Sequence, residues 1–270
     1  MVVRDRRSPT DPRFSERVMR SYEATGLERS LKTPSLAFAL DPDFAEAYTQ
    51  FVRGDLYARD TLSQADREIV ACCVLACLDK QDQLASHLRS GISHGATPTE
   101  LLEAIFQSVP YGGFPAGLSS MRTYAKLFPE MVREDRQAPP QDVDALPSGP
   151  RDAGARAAAT DFYGPDGADR IYSWLAALDT EASLACQRFI YGGILARDTL
   201  EPRMRALAGL GCLVVLGGER QLPLQIRAAA RVGASRAEIV ETILQMCVYA
   251  GWPRMFDAIA VLADLQPELC

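Results

Sequence analysis

Apolar residues recur along this chain at spacings of three and four rather than two, which predicts helices throughout and no strands. Phe44, Ala47, Tyr48, Phe51 and Val52 mark one face of a helix that opens at Asp41-Pro42-Asp43, with proline in the first turn, where its missing N–H is tolerated. DTLSQADREIVACCVLACL begins with turn chemistry and continues as a nearly unbroken apolar run, the pattern of a central, buried helix. The polar break DKQD separates it from QLASHLRSGISHG, whose Gly95 is the expected left-handed terminator. TPTELLEAIFQSVPY then starts with Thr97 as N-cap, Pro98 at N1 and Glu100 at N3, a capping box. One further helix is expected around 14–31, within a polar extension over 1–40.

The pattern runs twice. Residues 41–127 return as 179–265, 138 positions on, without insertion or deletion. LYARDTL (56–62) becomes ILARDTL (194–200), and YGGFP (111–115) becomes YAGWP (249–253). Between 56 and 115 about a third of positions are identical, including Arg67/Arg205, Glu103/Glu241 and Gln107/Gln245. An ungapped match of this length means two copies of one structural unit. The chain is therefore expected to be all-α, as two tandem helical-bundle repeats. Copy one spans 41–130 and copy two 163–270. Between them 131–162 reads as a linker, with the Pro, Gly and Asp content of a connector in QAPPQDVDALPSGPRDAG.

Composition narrows the function classes. A hydrophobic share of 47% and a charged share of 24% are those of an ordinary soluble protein. A net charge of −6 argues against nucleic acid as the main partner, since phosphate binding needs a concentrated basic surface. No stretch approaches the roughly 18 uninterrupted apolar residues of a membrane span. The opening MVVRDRRSPTDPRF has no apolar core of a secretory signal. The seven cysteines are odd in number and sit mostly in apolar helical runs, which points to reduced, buried thiols in a cytoplasmic protein.

The chain has no Gly-rich phosphate loop, no zinc-type CxxC pair and no GxSxG elbow, and its two histidines exclude a histidine-rich metal site. No metal and no cofactor are expected. Comparing the copies singles out residues that only one keeps. Glu68 becomes Ala206 and His87 becomes Gln225, so copy one has a carboxylate and an imidazole that copy two has lost together. An imidazole beside a carboxylate is a general acid/base with an orienting partner. The plainer reading is a hydrogen-bonded helix histidine and a solvated first-turn acid. Arg67 and Arg89, kept as Arg205 and Arg227, read as structural ion pairs. His94, ahead of Gly95, suits a helix C-terminus. Lys80, replaced by Gly218, is either a solvated loop residue or a carboxylate ligand. Arg59, kept as Arg197, is either a structural ion pair or a bidentate substrate clamp. Tyr111 and Tyr249 read as core packing or as pocket wall.

FVRGDLYARDTL, DREIV, LASHLRSGISHGATPTELLEAI and YGGFP, in this order and spacing and seen twice, resemble the carboxymuconolactone decarboxylase family. The resemblance implies the all-helical alkylhydroperoxidase D-like fold and rings of three or six units, hence a homo-oligomer, with three two-copy chains imitating a six-unit ring. The family includes cofactor-free decarboxylases of small lactone acids and thiol peroxidases. The peroxidase register of glutamate, CxxC and histidine falls here on Glu68, Lys80, Gln83 and His87, so the two cysteines are missing. The expected function is then a cofactor-independent lyase, most simply a decarboxylase, acting on a small acidic or cyclic carbonyl substrate. His87 and Glu68 would be catalytic, and Arg59, Lys80 and Tyr111 would bind substrate. The alternatives are an isomerase, dehydratase or cyclase using the same residues, a redox protein using Cys73 and Cys77, and a non-catalytic scaffold or binder.

Overall fold

The computed structural model describes residues 37, 40–133 and 149–265, and among them every regular element is helical. The helix expected around 14–31 lies outside the described residues. Copy one contains α1 (Pro42–Thr49), which runs on as a wider π-helical turn (Gln50–Leu56), then α2 (Gln64–Cys77), α3 (Gln81–Ser93) and α4 (Pro98–Leu127). Two helices follow, α5 (Gly149–Tyr163) and α6 (Pro165–Leu178). Copy two repeats the plan as α7 (Thr180–Gln187) with its own π-helical turn (Arg188–Leu195), α8 (Pro202–Leu216), α9 (Leu222–Arg231), α10 (Arg236–Gln245), α11 (Cys247–Ala250) and α12 (Trp252–Leu265).

The helix boundaries follow from local chemistry. The Asp41 side chain accepts the N–H groups of Asp43 and Phe44 at the start of α1. Thr97 with Glu100, and Ser235 with Glu238, form reciprocal capping boxes at α4 and α10. Gly95 and Gly233 follow α3 and α9 at φ +94° and +95°, backbone that side chains resist. Gly113, at φ 83° and ψ 168°, breaks α4 within YGGFP. Gly251 does the same between α11 and α12.

α2 is buried without interruption from Arg67 to Cys77 and packs on α3, α4 and its own counterpart α8. One continuous core therefore runs through both copies. Ion pairs cross between them in both directions. Glu241 of copy two takes Arg67 Nη2 and Arg59 Nε of copy one, each at 2.7 Å. Glu103 of copy one takes Arg205 Nη2 at 2.7 Å and Arg197 Nη2 at 2.5 Å. Burial alone would push the Glu103 carboxyl up, but the two guanidiniums outweigh it and hold the group below its ordinary range. The pairing expected of Arg67 and Arg205 is thus present, whereas Arg89 is exposed and hydrogen-bonds along its own helix to the Ala85 carbonyl.

The stretch read as a linker is helical from Gly149 onward. α5 buries Ala155, Ala159 and Phe162, and it packs against the π-helical turn of copy two and α9. The proline- and glycine-rich composition gives way at 155 to ARAAATDFY, and alanine is the strongest helix former.

Candidate active site

α2 places Glu68 at its buried inner face, and α3 lays His87 and Ser90 over it. These two are three residues apart and so share one side of the helix. His87 Nδ1 lies 2.6 Å from Glu68 Oε2, and the Ser90 hydroxyl donates to Oε1 at 2.9 Å. Glu68 is only 2% exposed while His87 is 24% exposed, so the carboxylate anchors the imidazole from beneath and the ring still reaches open space. Burial pushes the Glu68 carboxyl up, but the charge and hydrogen bond of His87, the Ser90 hydroxyl and the charge of Arg53 together hold it below its ordinary value. The carboxylate form fixes the tautomer with hydrogen on Nδ1, which leaves Nε2 as the working nitrogen.

Three further side chains close round the dyad. Tyr249, from copy two, sets its ring edgewise against His87 with centroids 5.8 Å apart, and its hydroxyl lies 2.5 Å from that of Tyr57. Burial pushes both phenols up, so both stay neutral at physiological pH. Arg53, on the π-helical turn, holds its guanidinium 5.4 Å from the centre of the Tyr57 ring. Its Nη1 is buried and has no hydrogen-bond partner among the described residues. An unsatisfied charged donor is costly, and beside this dyad it suits an oxygen of a bound anion. Among the described residues no three His, Cys, Asp or Glu side chains converge as metal ligands.

The same place in copy two is built of neutral groups. Gln225 stands for His87 and donates to the Ala206 carbonyl at 2.9 Å, where copy one has Glu68. Tyr191 stands for Arg53 and Ala228 for Ser90. A cavity of about 380 Å³ remains there, with Tyr111, Tyr163, Tyr191, Gln221 and Gln225 among its walls.

The sequence profile of the carboxymuconolactone decarboxylase family matches residues 42–126 and 185–264, one stretch in each copy. The chain belongs to this family. A 4-carboxymuconolactone decarboxylase of Acinetobacter baylyi is 32% identical over 99 residues, which cover 34% of this chain and 74% of that protein. A 15.0 kDa protein of Paracoccus denitrificans, encoded between nqo9 and nqo10, is 34% identical over 80 residues, 29% of this chain and 60% of its own length. Both alignments have the length of one copy, so the chain is a tandem carboxymuconolactone decarboxylase family protein with the all-helical fold that the sequence implied.

Within this family member the sequence-derived residues are distributed unevenly. Glu68 and His87 meet as expected. Tyr111 does not join them: it reaches across to the copy-two cavity, and a side chain on Gly209 would collide with its hydroxyl. Tyr249 makes the reciprocal crossing to copy one. Arg59 spends its Nε on Glu241 and belongs to the contact between the copies. Lys80 is exposed just ahead of α3, and its counterpart Gly218 lines the copy-two cavity, which puts Lys80 at the rim of the equivalent place in copy one. His94 caps α3 and sets Nδ1 2.8 Å from the Ser90 carbonyl oxygen. Cys73 and Cys77 are buried in the shared core, with Cys73 Sγ 3.5 Å from Cys212 Sγ of copy two. Arg53 and Ser90, which were not among the sequence-derived residues, are also kept by one copy only, the signal that marked Glu68 and His87.

Proposed function

We propose that this protein is a cofactor-independent lyase, most simply a decarboxylase, with one catalytic centre per chain at the Glu68–His87 pair. The observation that carries the reading is the 2.6 Å contact between a buried carboxylate and a half-buried imidazole. It is supported by family membership and by likeness to a 4-carboxymuconolactone decarboxylase. The substrate is a small carboxylate whose reacting carbon lies next to a carbonyl or lactone. Arg53 Nη1, which has no hydrogen-bond partner among the described residues, donates to an oxygen of that anion.

In the decarboxylation, the bond between the reacting carbon and the carboxylate breaks and carbon dioxide leaves. The electron pair passes into the adjacent carbonyl to give an enolate. Protonated His87 then delivers the Nε2 proton to carbon and is reprotonated from water. Ionised Glu68 holds the ring in place throughout and stabilises its cationic form. Tyr57 and Tyr249 share one hydrogen bond, which leaves the neutral pair one further O–H to donate to a developing enolate in a partly dry site, where such bonds are strengthened. Proton transfer beside a carbonyl also begins isomerisation, dehydration and cyclisation, so the same residues serve those reactions on another substrate.

His87→Ala should lower turnover by about 10²–10⁴ without unfolding the chain. The test compares metabolites by mass spectrometry in the host with the gene intact, deleted, or carrying His87→Ala. Accumulation of one common compound in both altered strains, heavier than the normal product by carbon dioxide, supports the decarboxylase. A difference of water or of nothing moves the assignment to a dehydratase or to an isomerase or cyclase. Wild-type output from His87→Ala beside a defective deletion strain refutes the catalytic pair.

A further inference from the structure

The copy that lacks the dyad has lost its charges but not its cavity. Four positions of the copy-one site bear ionisable groups: Arg53, Glu68, Lys80 and His87. In copy two these are Tyr191, Ala206, Gly218 and Gln225, neutral at every position. A unit kept only as scaffold has no need of open space here, since packed side chains add dispersion and exclude water. Yet about 380 Å³ stays open, within the 300–1,000 Å³ range usual for small-molecule sites.

Among the described residues its walls carry no charged side chain, only apolar groups, phenols and carboxamides. Tyr163, at the end of α5, donates to Gln225 Oε1 at 3.4 Å and so brings the inter-copy helix into the wall. Tyr111 comes from copy one. Phenols both donate and accept hydrogen bonds and present flat apolar faces. Burial pushes the Tyr111 hydroxyl well up, which keeps it protonated. A carboxylate held here would find no cation among the described lining residues to offset its desolvation.

We propose that the copy-two cavity is a second binding site, for an uncharged ring compound with a hydrogen-bonding oxygen, such as a phenol or a neutral lactone. It takes up its ligand separately from the dyad, and this holds whether or not copy one is a decarboxylase.

The experiment is calorimetric titration of the full chain with 2-naphthol, neutral at pH 7, and with its anionic counterpart 2-naphthoate as competitor. Two variants close the cavity from different walls: Leu224→Trp, and Leu216→Trp at a position that is itself partly on the surface. Thermal melting shows whether each is folded. The expected result is saturable binding of one 2-naphthol per chain, weakened at least about tenfold (1.4 kcal/mol) by either tryptophan and unchanged by His87→Ala. Displacement by 2-naphthoate should need at least about tenfold more competitor than displacement by a neutral naphthol. No saturable binding overturns the proposal. So does binding that survives both tryptophans, disappears with His87→Ala, or favours the anion.

Discussion

Arg53 touches the dyad only through its field, and removing it separates two roles. As the proposed anchor of the substrate anion it contributes to binding, so Arg53→Leu should raise KM several-fold more than it lowers kcat. As the smallest of the contributions that hold the Glu68 carboxyl down, after His87 and Ser90, it also adds to the position of the acid side of the pH profile. Glu68 titrates below its ordinary 4.5 in the folded protein. Its contribution is therefore complete above the unfolded value and disappears as pH falls through the depressed folded value. In Arg53→Leu that acid limb should move to higher pH, which steady-state rates from neutral pH down to 4 would reveal. An unmoved limb with unchanged KM would sink the assignment. At this scale the sequence was readable where a polar residue survives in one copy and not the other, as with Glu68 and His87. Tyr249 escaped that test for a physical reason. Each copy lends its tyrosine to the other's site, so both copies keep it, and persistence in both looks like mere architecture.

Among the helices, those with explicit end chemistry were the most legible. Asp41, Thr97 and Gly95 each satisfy or terminate backbone hydrogen bonds locally, so no distant contact is needed to place them. The break in α4 depends on Gly113, whose φ of 83° with ψ of 168° is close to a glycine-only conformation. Gly113→Ala should cost about 1–3 kcal/mol, measurable as a lower urea midpoint with unchanged slope. A loss within about 0.5 kcal/mol would mean that the backbone relaxes there. From Gly149 on, the expected linker is helical, because its composition changes partway. Gly149, Pro150 and Gly154 fall within the first turns of α5, and the helix is held by Ala155, Ala159 and Phe162 against copy two, contacts that a local reading does not supply.

The molecule as a whole shares one core, although its sequence divides neatly in two. Glu103 and Glu241, each 1% exposed, balance two arginines of the opposite copy. Glu103→Ala leaves Arg205 buried without its counter-ion and should cost about 3–5 kcal/mol. Equilibrium unfolding should remain a single transition, with both copies lost together. A loss confined to one of two resolved transitions would show that the copies fold independently. The tandem arrangement was plain from the repeat, but the exchange of carboxylates was not. Identical residues in both copies state only that a pair exists, and whether it closes within a copy or between copies depends on how the two units dock.

That docking has a consequence for inheritance. In a dimer of identical chains, any mutation in the gene strikes both sites at once, so a site can be altered only by forfeiting its twin. Fusing the two units removes that constraint, and the drift of Glu68 and His87 to Ala206 and Gln225 is of the kind it permits. The traded tyrosines set its limit. A truncation that discarded the dyad-less half would also discard the Tyr249 ring beside His87, so the half without the acid and base is not free to be deleted.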